Sequence, residues 1–176
     1  MTYIAELIKS MKLLAEDKRV IFLGQTAYYP GSPMYGTLEE IASEKRIELP
    51  IIEDTQMGMS IGLSLQGYVP VSLYPRMDFL ICATNQLVNH LDKIEEMSNY
   101  QFKPKVIIRT AIGSTEPFYP GVQHCSDYTE LFKLSLKNIN VVKLEDSKKI
   151  ISEYRNALEN EKSTLLIEIS DMYDKR

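Results

Sequence analysis

Six apolar runs punctuate this chain, and their character constrains the fold more than anything else in it. They are RVIFLG (19–24), RIELPI (46–51), VPVSLY (69–74), KVIIRTAI (105–112), INVVKL (139–144) and STLLIEIS (163–170). Most are continuous runs of apolar residues, with no strict alternation. A strand of that kind is buried on both faces, which is the habit of parallel sheets covered by helices. Helical spacing fills the gaps. Ile4, Leu7, Ile8, Met11 and Leu14 share one face of residues 2–16, and Leu80, Ala83, Leu87, Leu91 and Ile94 one stripe of residues 77–98. Further helices are predicted over 38–45, 55–66, 127–136 and 147–161. Thr37 is expected to cap the first of these, with Glu40 three residues on as its box partner. The alternation predicts an α/β fold: three layers, a mostly parallel sheet with helices on both faces.

Length and composition place this as one compact domain over 1–176, with no repeat, linker or low-complexity tract. Apolar residues make up 44% of the chain and charged ones 25%, which argues against disorder. A net charge of −4 leaves no electrostatic footprint for nucleic acid. No stretch is apolar for long enough to span a bilayer, and the N-terminus is charged throughout, with no signal-peptide core. A cytoplasmic protein is expected, with no membrane partner. Cys82 and Cys125 match no metal-ligand spacing and read as free thiols; no metal site is predicted in this chain.

Ligands of doubly wound sheets sit beyond the carboxyl ends of the strands. Here those ends are the Tyr-, Pro- and Gly-rich loop 25–36, the corner at Glu53, the turn from Tyr74 to Asp78, and the loop 113–126 with His124. An acid, several aromatics and a histidine therefore share one rim. At the corner, Asp54 or Thr55 could cap the following helix, which leaves Glu53 to be explained. Gly58 and Gly62 lie four apart in that helix, where each costs about 1 kcal/mol relative to Ala; close approach of another backbone would offset the cost.

The segment RIELPIIEDTQMGMSIGLSLQGYVPV, through Pro50, Ile51, Glu53, Gly58, Gly62, Gly67, Pro70 and Val71, resembles the pyrimidine-binding (Pyr) domain of thiamine-diphosphate-dependent enzymes. The similarity is to the β subunit of 2-oxo acid dehydrogenases, including pyruvate dehydrogenase, and to the central domain of transketolases. Asp78, Phe79, Gln86 and Asn89 fit the family's next helix. KVIIRTAIG and GVQHCSDYTELF fit its following strand, Gly-rich loop and Gln-His segment, so the resemblance covers nearly the whole chain.

The resemblance implies specific roles. Glu53 would hydrogen-bond a ring nitrogen of the cofactor's aminopyrimidine and so promote loss of the thiazolium proton. Burial that raises a carboxyl pKa would help it share that proton. The alternative is a helix-start charge favoured by the dipole. Phe79 would lie against the pyrimidine or else be a core residue; Met77 and Tyr74 are candidates for the same wall. His124 would handle protons or substrate oxyanions near the reacting carbon, or else be an ordinary loop residue; a histidine titrates near neutrality. Gln25 stands where dehydrogenase-type β subunits commonly carry Glu. It keeps hydrogen bonding but gives up charge and proton transfer.

No Gly-Asp-Gly motif occurs. The resemblance then implies that Mg2+ and the diphosphate are held by a separate diphosphate-binding (α-type) subunit. Assembly would be a heterotetramer with two copies of each subunit. The helix with Gly58 and Gly62 and the helix 77–98 are candidate interface elements, or else ordinary core. The family's C-terminal domain is also not expected. The enzyme would catalyse decarboxylation or ketol or acyl transfer on a 2-oxo acid or ketose. The competing expectation is a non-catalytic partner subunit that keeps the fold.

Overall fold

The computed structural model describes residues 2–116 and 119–173. Six strands form one sheet: β1 (Val20–Gly24), β2 (Arg46–Glu48), β3 (Val69–Tyr74), β4 (Ile107–Ile112), β5 (Asn140–Lys143) and β6 (Thr164–Ile169). Their spatial order is β2-β1-β3-β4-β6-β5, and every described pair is parallel. The expected α/β architecture is the observed one. β2 is only three residues long where six were predicted. Leu49 still donates to the Gly24 carbonyl, but Pro50 has no N–H with which to extend the ladder.

Helices α1 (Tyr3–Glu16) and α6 (Ile150–Glu159) cover one face of the sheet. Leu7, Met11 and Leu14 of α1 pack there with Tyr154 and Ala157 of α6, over Phe22, Val71 and Ile107. The other face carries α2 (Glu53–Leu65), the run from α3 (Met77–Leu80) to α4 (Ile94–Met97), and α5 (Thr129–Ser135). There Met57, Leu80, Leu87 and Phe132 meet Ile108, Leu165 and Ile167. Ile107 and Ile108 are neighbours in β4 yet belong to opposite cores, which is why the strands read as continuous apolar runs.

Three helical expectations change. Residues 38–45 form no helix; single 3-10 turns at Tyr35–Thr37 and Ser43–Lys45 replace it. Thr37 cannot cap, because its hydroxyl donates to Met34 O (2.7 Å) and accepts from Arg109 (2.8 Å) in the core. Glu40 pairs instead with Lys12 on α1. The second change is at α2, which starts at Glu53, two residues earlier than predicted. Its N-cap is Ile52, with no side-chain cap, so neither Asp54 nor Thr55 plays that part.

The stripe over 77–98 is real, with Leu80, Ala83, Leu87 and Leu91 buried, but the helix is not uniform. A 3-10 turn at Ile81–Ala83 and a π segment at Asn85–Leu91 interrupt it. The Asp92 N–H reaches back five residues to Leu87 O. The wider turn leaves Asp92 buried, and its carboxylate accepts the N–H groups of Lys137 (2.9 Å) and Asn138 (2.8 Å).

The chain steps from β1 outward to β2, then crosses to the other side of β1 to form β3. The sheet's topological switch point is therefore between β1 and β3, where a crevice opens at the strands' carboxyl ends. Gly24 closes β1 there with φ +137°. A Cβ on it would stand 2.5 Å from Leu73 O and 2.7 Å from Gln56 Nε2. Only glycine leaves room for the Gln56 amide to bridge to Ser72 Oγ (3.1 Å) and Leu73 O (2.8 Å) under the crevice floor.

Candidate functional site

A cleft of about 390 Å³ occupies this position. Gln25 and Thr26 reach it from the end of β1, Arg76 and Phe79 from beyond β3, Ser114 from beyond β4, and His124 from the following loop. Three of the predicted residues, Gln25, Phe79 and His124, thus share one wall-lined space.

The loops that form the cleft are held by side chains arriving from the strand ends. Glu48, last in β2, accepts the N–H groups of Thr26 (2.9 Å), Tyr28 (2.6 Å) and Tyr29 (3.2 Å). Arg46 adds a bond to Ala27 O and lies over the Tyr28 ring. One carboxylate therefore fixes the turn at Thr26, which has φ +58°. Across the cleft, Arg76 donates from one nitrogen to Gly113 O and to His124 O, both at 2.9 Å. Asp78 accepts the Ser126 N–H, and Met77 Sδ the Tyr128 N–H. Asp171 takes the N–H groups of Thr115 (2.6 Å) and Glu116 (3.2 Å).

Phe79 meets His124 edge to face, with ring centroids 5.4 Å apart. His124 Nδ1 is buried and has no hydrogen-bond partner, and the same is true of Gln25 Nε2. Buried polar atoms left in that state are costly, so each is a place for a ligand group.

Glu53 sits half-buried in the first turn of α2, outside the residues that line the cleft. Its backbone carbonyl accepts from the Tyr74 hydroxyl at 3.3 Å. Its carboxylate accepts no hydrogen bond and makes no ion pair with the described residues. Tyr74 and Met77 lie beneath the wall rather than in it: both are buried, in the core on the α2 face. Burial holds the Tyr74 pKa well up, with its hydroxyl spent on Ser72 and on the Glu53 carbonyl. They support the wall and present no surface of their own to the cleft.

These features fit a bound aminopyrimidine. An aromatic ring and two buried polar atoms without partners line the cleft, and a half-buried carboxylate without a partner among the described residues stands in the first turn of α2, outside that lining. Among the described residues no cluster of His, Cys, Asp and Glu is arranged to hold a metal ion. Cys82 is exposed and Cys125 donates to Ser114 O; neither is in a disulfide.

Sequence reasoning did not find Arg76, Glu48 or Asp171. Each carries a visible signal, since each is a charged residue within two positions of a strand's carboxyl end.

No family model matches the sequence. Curated relatives do. The β subunit of 2-oxoisovalerate dehydrogenase from Bacillus subtilis is 28% identical over 117 residues, 64% of this chain and 36% of that one. The β subunit of 3-methyl-2-oxobutanoate dehydrogenase from Mycobacterium tuberculosis is 26% identical over 135 residues, 73% and 37%. A chloroplastic pyruvate dehydrogenase β subunit from Oryza sativa is 28% identical over 171 residues, 96% and 41%. The chain therefore spans about two fifths of the length of these relatives. Among solved structures, a split-gene transketolase in an inactive beta4 tetramer superposes with a TM-score of 0.67 at 18% identity. That match takes in 94% of this chain and 49% of the other, and it shows a shared fold. The resemblance read from the sequence holds: the homologues are β subunits of 2-oxo acid dehydrogenases, and the fold is of the transketolase type.

Proposed function

We propose that this chain is the pyrimidine-binding subunit of a two-subunit thiamine-diphosphate enzyme that acts on a 2-oxo acid or a ketose. The observation that carries the reading is Glu53: a half-buried carboxylate without a partner among the described residues, in the first turn of the helix that follows β2. When bound, thiamine diphosphate would supply a carbon that loses its proton and attacks a carbonyl, and an electron sink for the bond that then breaks. Glu53 would hold a proton between its carboxyl and a pyrimidine nitrogen; no competing donor among the described residues occupies it. Phe79, braced on the His124 ring, would set the plane in which that hydrogen bond forms. His124 would carry protons to or from the substrate through Nδ1, the atom that the fold leaves unpaired. Gln25 would donate a hydrogen bond without contributing charge.

The diphosphate and its Mg2+ would be held by a separate diphosphate-binding subunit, in a heterotetramer with two copies of each chain. The outward face of α2 suits such contact. Met59, Gly62 and Leu65 are exposed along it, with Ile51 just before the helix. A Cβ at Gly62 would meet nothing within 4 Å, and one at Gly58 only the Gln86 side chain. No close backbone approach among the described residues explains these glycines, and a partner chain would supply it.

A second reading, a structural partner without catalytic work, draws on Gln25 in place of a carboxylate. Glu53→Gln in the complex with the diphosphate-binding subunit separates the two. The catalytic reading expects turnover to fall at least ~100-fold, with the assembly unchanged in size. Unchanged turnover would leave the structural reading.

A further inference from the structure

The cleft holds an unbalanced charge. Arg76 is half-buried and uses one guanidinium nitrogen for the carbonyls of Gly113 and His124. Among the described residues it has no carboxylate within ion-pair distance, and its other nitrogens have no acceptor. Arg19 is paired with Asp17 and Arg109 with Glu168, whereas Arg46 and Arg155, like Arg76, form no ion pair among the described residues; of these, only Arg76 lines the cleft. Among the described residues no Asp or Glu lines the cleft. Gln25 and His124, which line it with Arg76, each have a buried nitrogen without a partner. A guanidinium already fixed in place by two carbonyls, with its remaining donors free, is preorganised for an oxyanion. Such a bond is charge-assisted and can be bidentate.

We propose that Arg76 is a specificity-determining residue that anchors an anionic oxygen group of the substrate, a carboxylate or a phosphate, within this cleft, with Gln25 and His124 beside it. The proposal rests on the reading of this rim as the place where substrate meets cofactor, and it names the chemistry that the substrate must carry. A neutral carbonyl compound would leave the guanidinium unmatched and is selected against.

The test uses the full chain alone, by NMR at fixed pH. The chain has only two histidines, so the imidazole resonances of His124 are assigned by comparison with a His90→Gln variant; His90 is exposed on the helical run 77–98. Pyruvate, inorganic phosphate and neutral acetone are titrated separately. Saturable movement of the His124 signals by pyruvate alone assigns a carboxylate, by phosphate alone a phosphate, and by both the shared oxyanion chemistry. Acetone and the His90 signals show no such movement. Arg76→Gln weakens the effect at least tenfold. Gln25→Glu does the same while leaving Arg76 and its two carbonyl bonds intact, so a disturbed loop does not explain the loss. No movement with either anion, or equal movement in Arg76→Gln, overturns the proposal. The titration uses neither cofactor nor partner subunit, so its failure is told apart from failure of the cofactor reading, which is read separately from turnover of Glu53→Gln in the complex.

Discussion

Arg109 and Glu168 are charges in the middle of buried strands. RVIFLG and VPVSLY have no interior charge, whereas KVIIRTAI and STLLIEIS each have one, of opposite sign. β4 and β6 are neighbours, and the structure joins the two side chains in the core under α1 and α6, both fully buried. Glu168 accepts from Arg109 and from the hydroxyls of Tyr154 and Tyr173, while Arg109 also donates to Thr37. Burial by itself would lower the Arg109 pKa, but Glu168 overrides it and holds the guanidinium charged. Burial, reinforced by Glu168, raises both tyrosine pKa values, so their protons stay available to the carboxylate. Removing one partner strands the other as a buried charge. Arg109→Met is expected to destabilise the fold by about 3–5 kcal/mol, read from urea unfolding. It should also free Thr37 and loosen the end of the loop that walls the cleft. This is where the prediction of a capped helix over 38–45 failed. The Ser/Thr-x-x-Glu pattern was present, but Thr37 is claimed by a residue 72 positions away, and local spacing carries no sign of that.

At the scale of elements, strands were read well because burial on both faces leaves an apolar run that needs no partner to be recognised. Helix interiors were read less well. Leu80, Ala83, Leu87 and Leu91 keep helical spacing through a π segment, so the stripe survives while the hydrogen bonding changes. What sets that change is Asp92 meeting the backbone of 137 and 138, a contact between distant parts of the chain. Asp127, just before α5, shows how such ties respond to pH. Burial would raise its pKa, but the Lys143 ammonium and the Thr129 hydroxyl and N–H bring it down to about 2. A carboxylate whose folded pKa lies below its unfolded value, about 3.9, stabilises above that value. The contribution is lost as pH falls through about 2. Acid titration is expected to release the Asp127–Lys143 bond between α5 and β5 in that window, and Asp127→Asn is expected to abolish this step. The carboxyl carbon shift of Asp127, followed by NMR, checks both.

At the scale of the molecule, the sheet order places the crevice between β1 and β3, and the loops that fill it were already the ones with unusual composition. Gln25, Phe79 and His124 could be named in advance because each follows a strand end and fits a known pattern. Arg76 could not, because its meaning depends on the carbonyls of Gly113 and His124, distant in sequence, closing on it. Tyr74 and Met77 also depend on packing. Their positions fit the pattern, and the fold turns them into the core. Glu53 differs from all of these. It stands in the first turn of α2, outside the residues that line the cleft, on the same helix as an exposed small-residue face, as a group completed by another chain would.

The central claim is that Glu53 promotes proton loss from the cofactor in a complex with the diphosphate-binding subunit. The direct measurement is the rate of hydrogen–deuterium exchange at the thiazolium carbon of thiamine diphosphate bound to that complex, by quenched-flow NMR. The account predicts rapid exchange with Glu53 present and a rate at least ~100-fold lower in Glu53→Gln. Equal rates in the two complexes would contradict it.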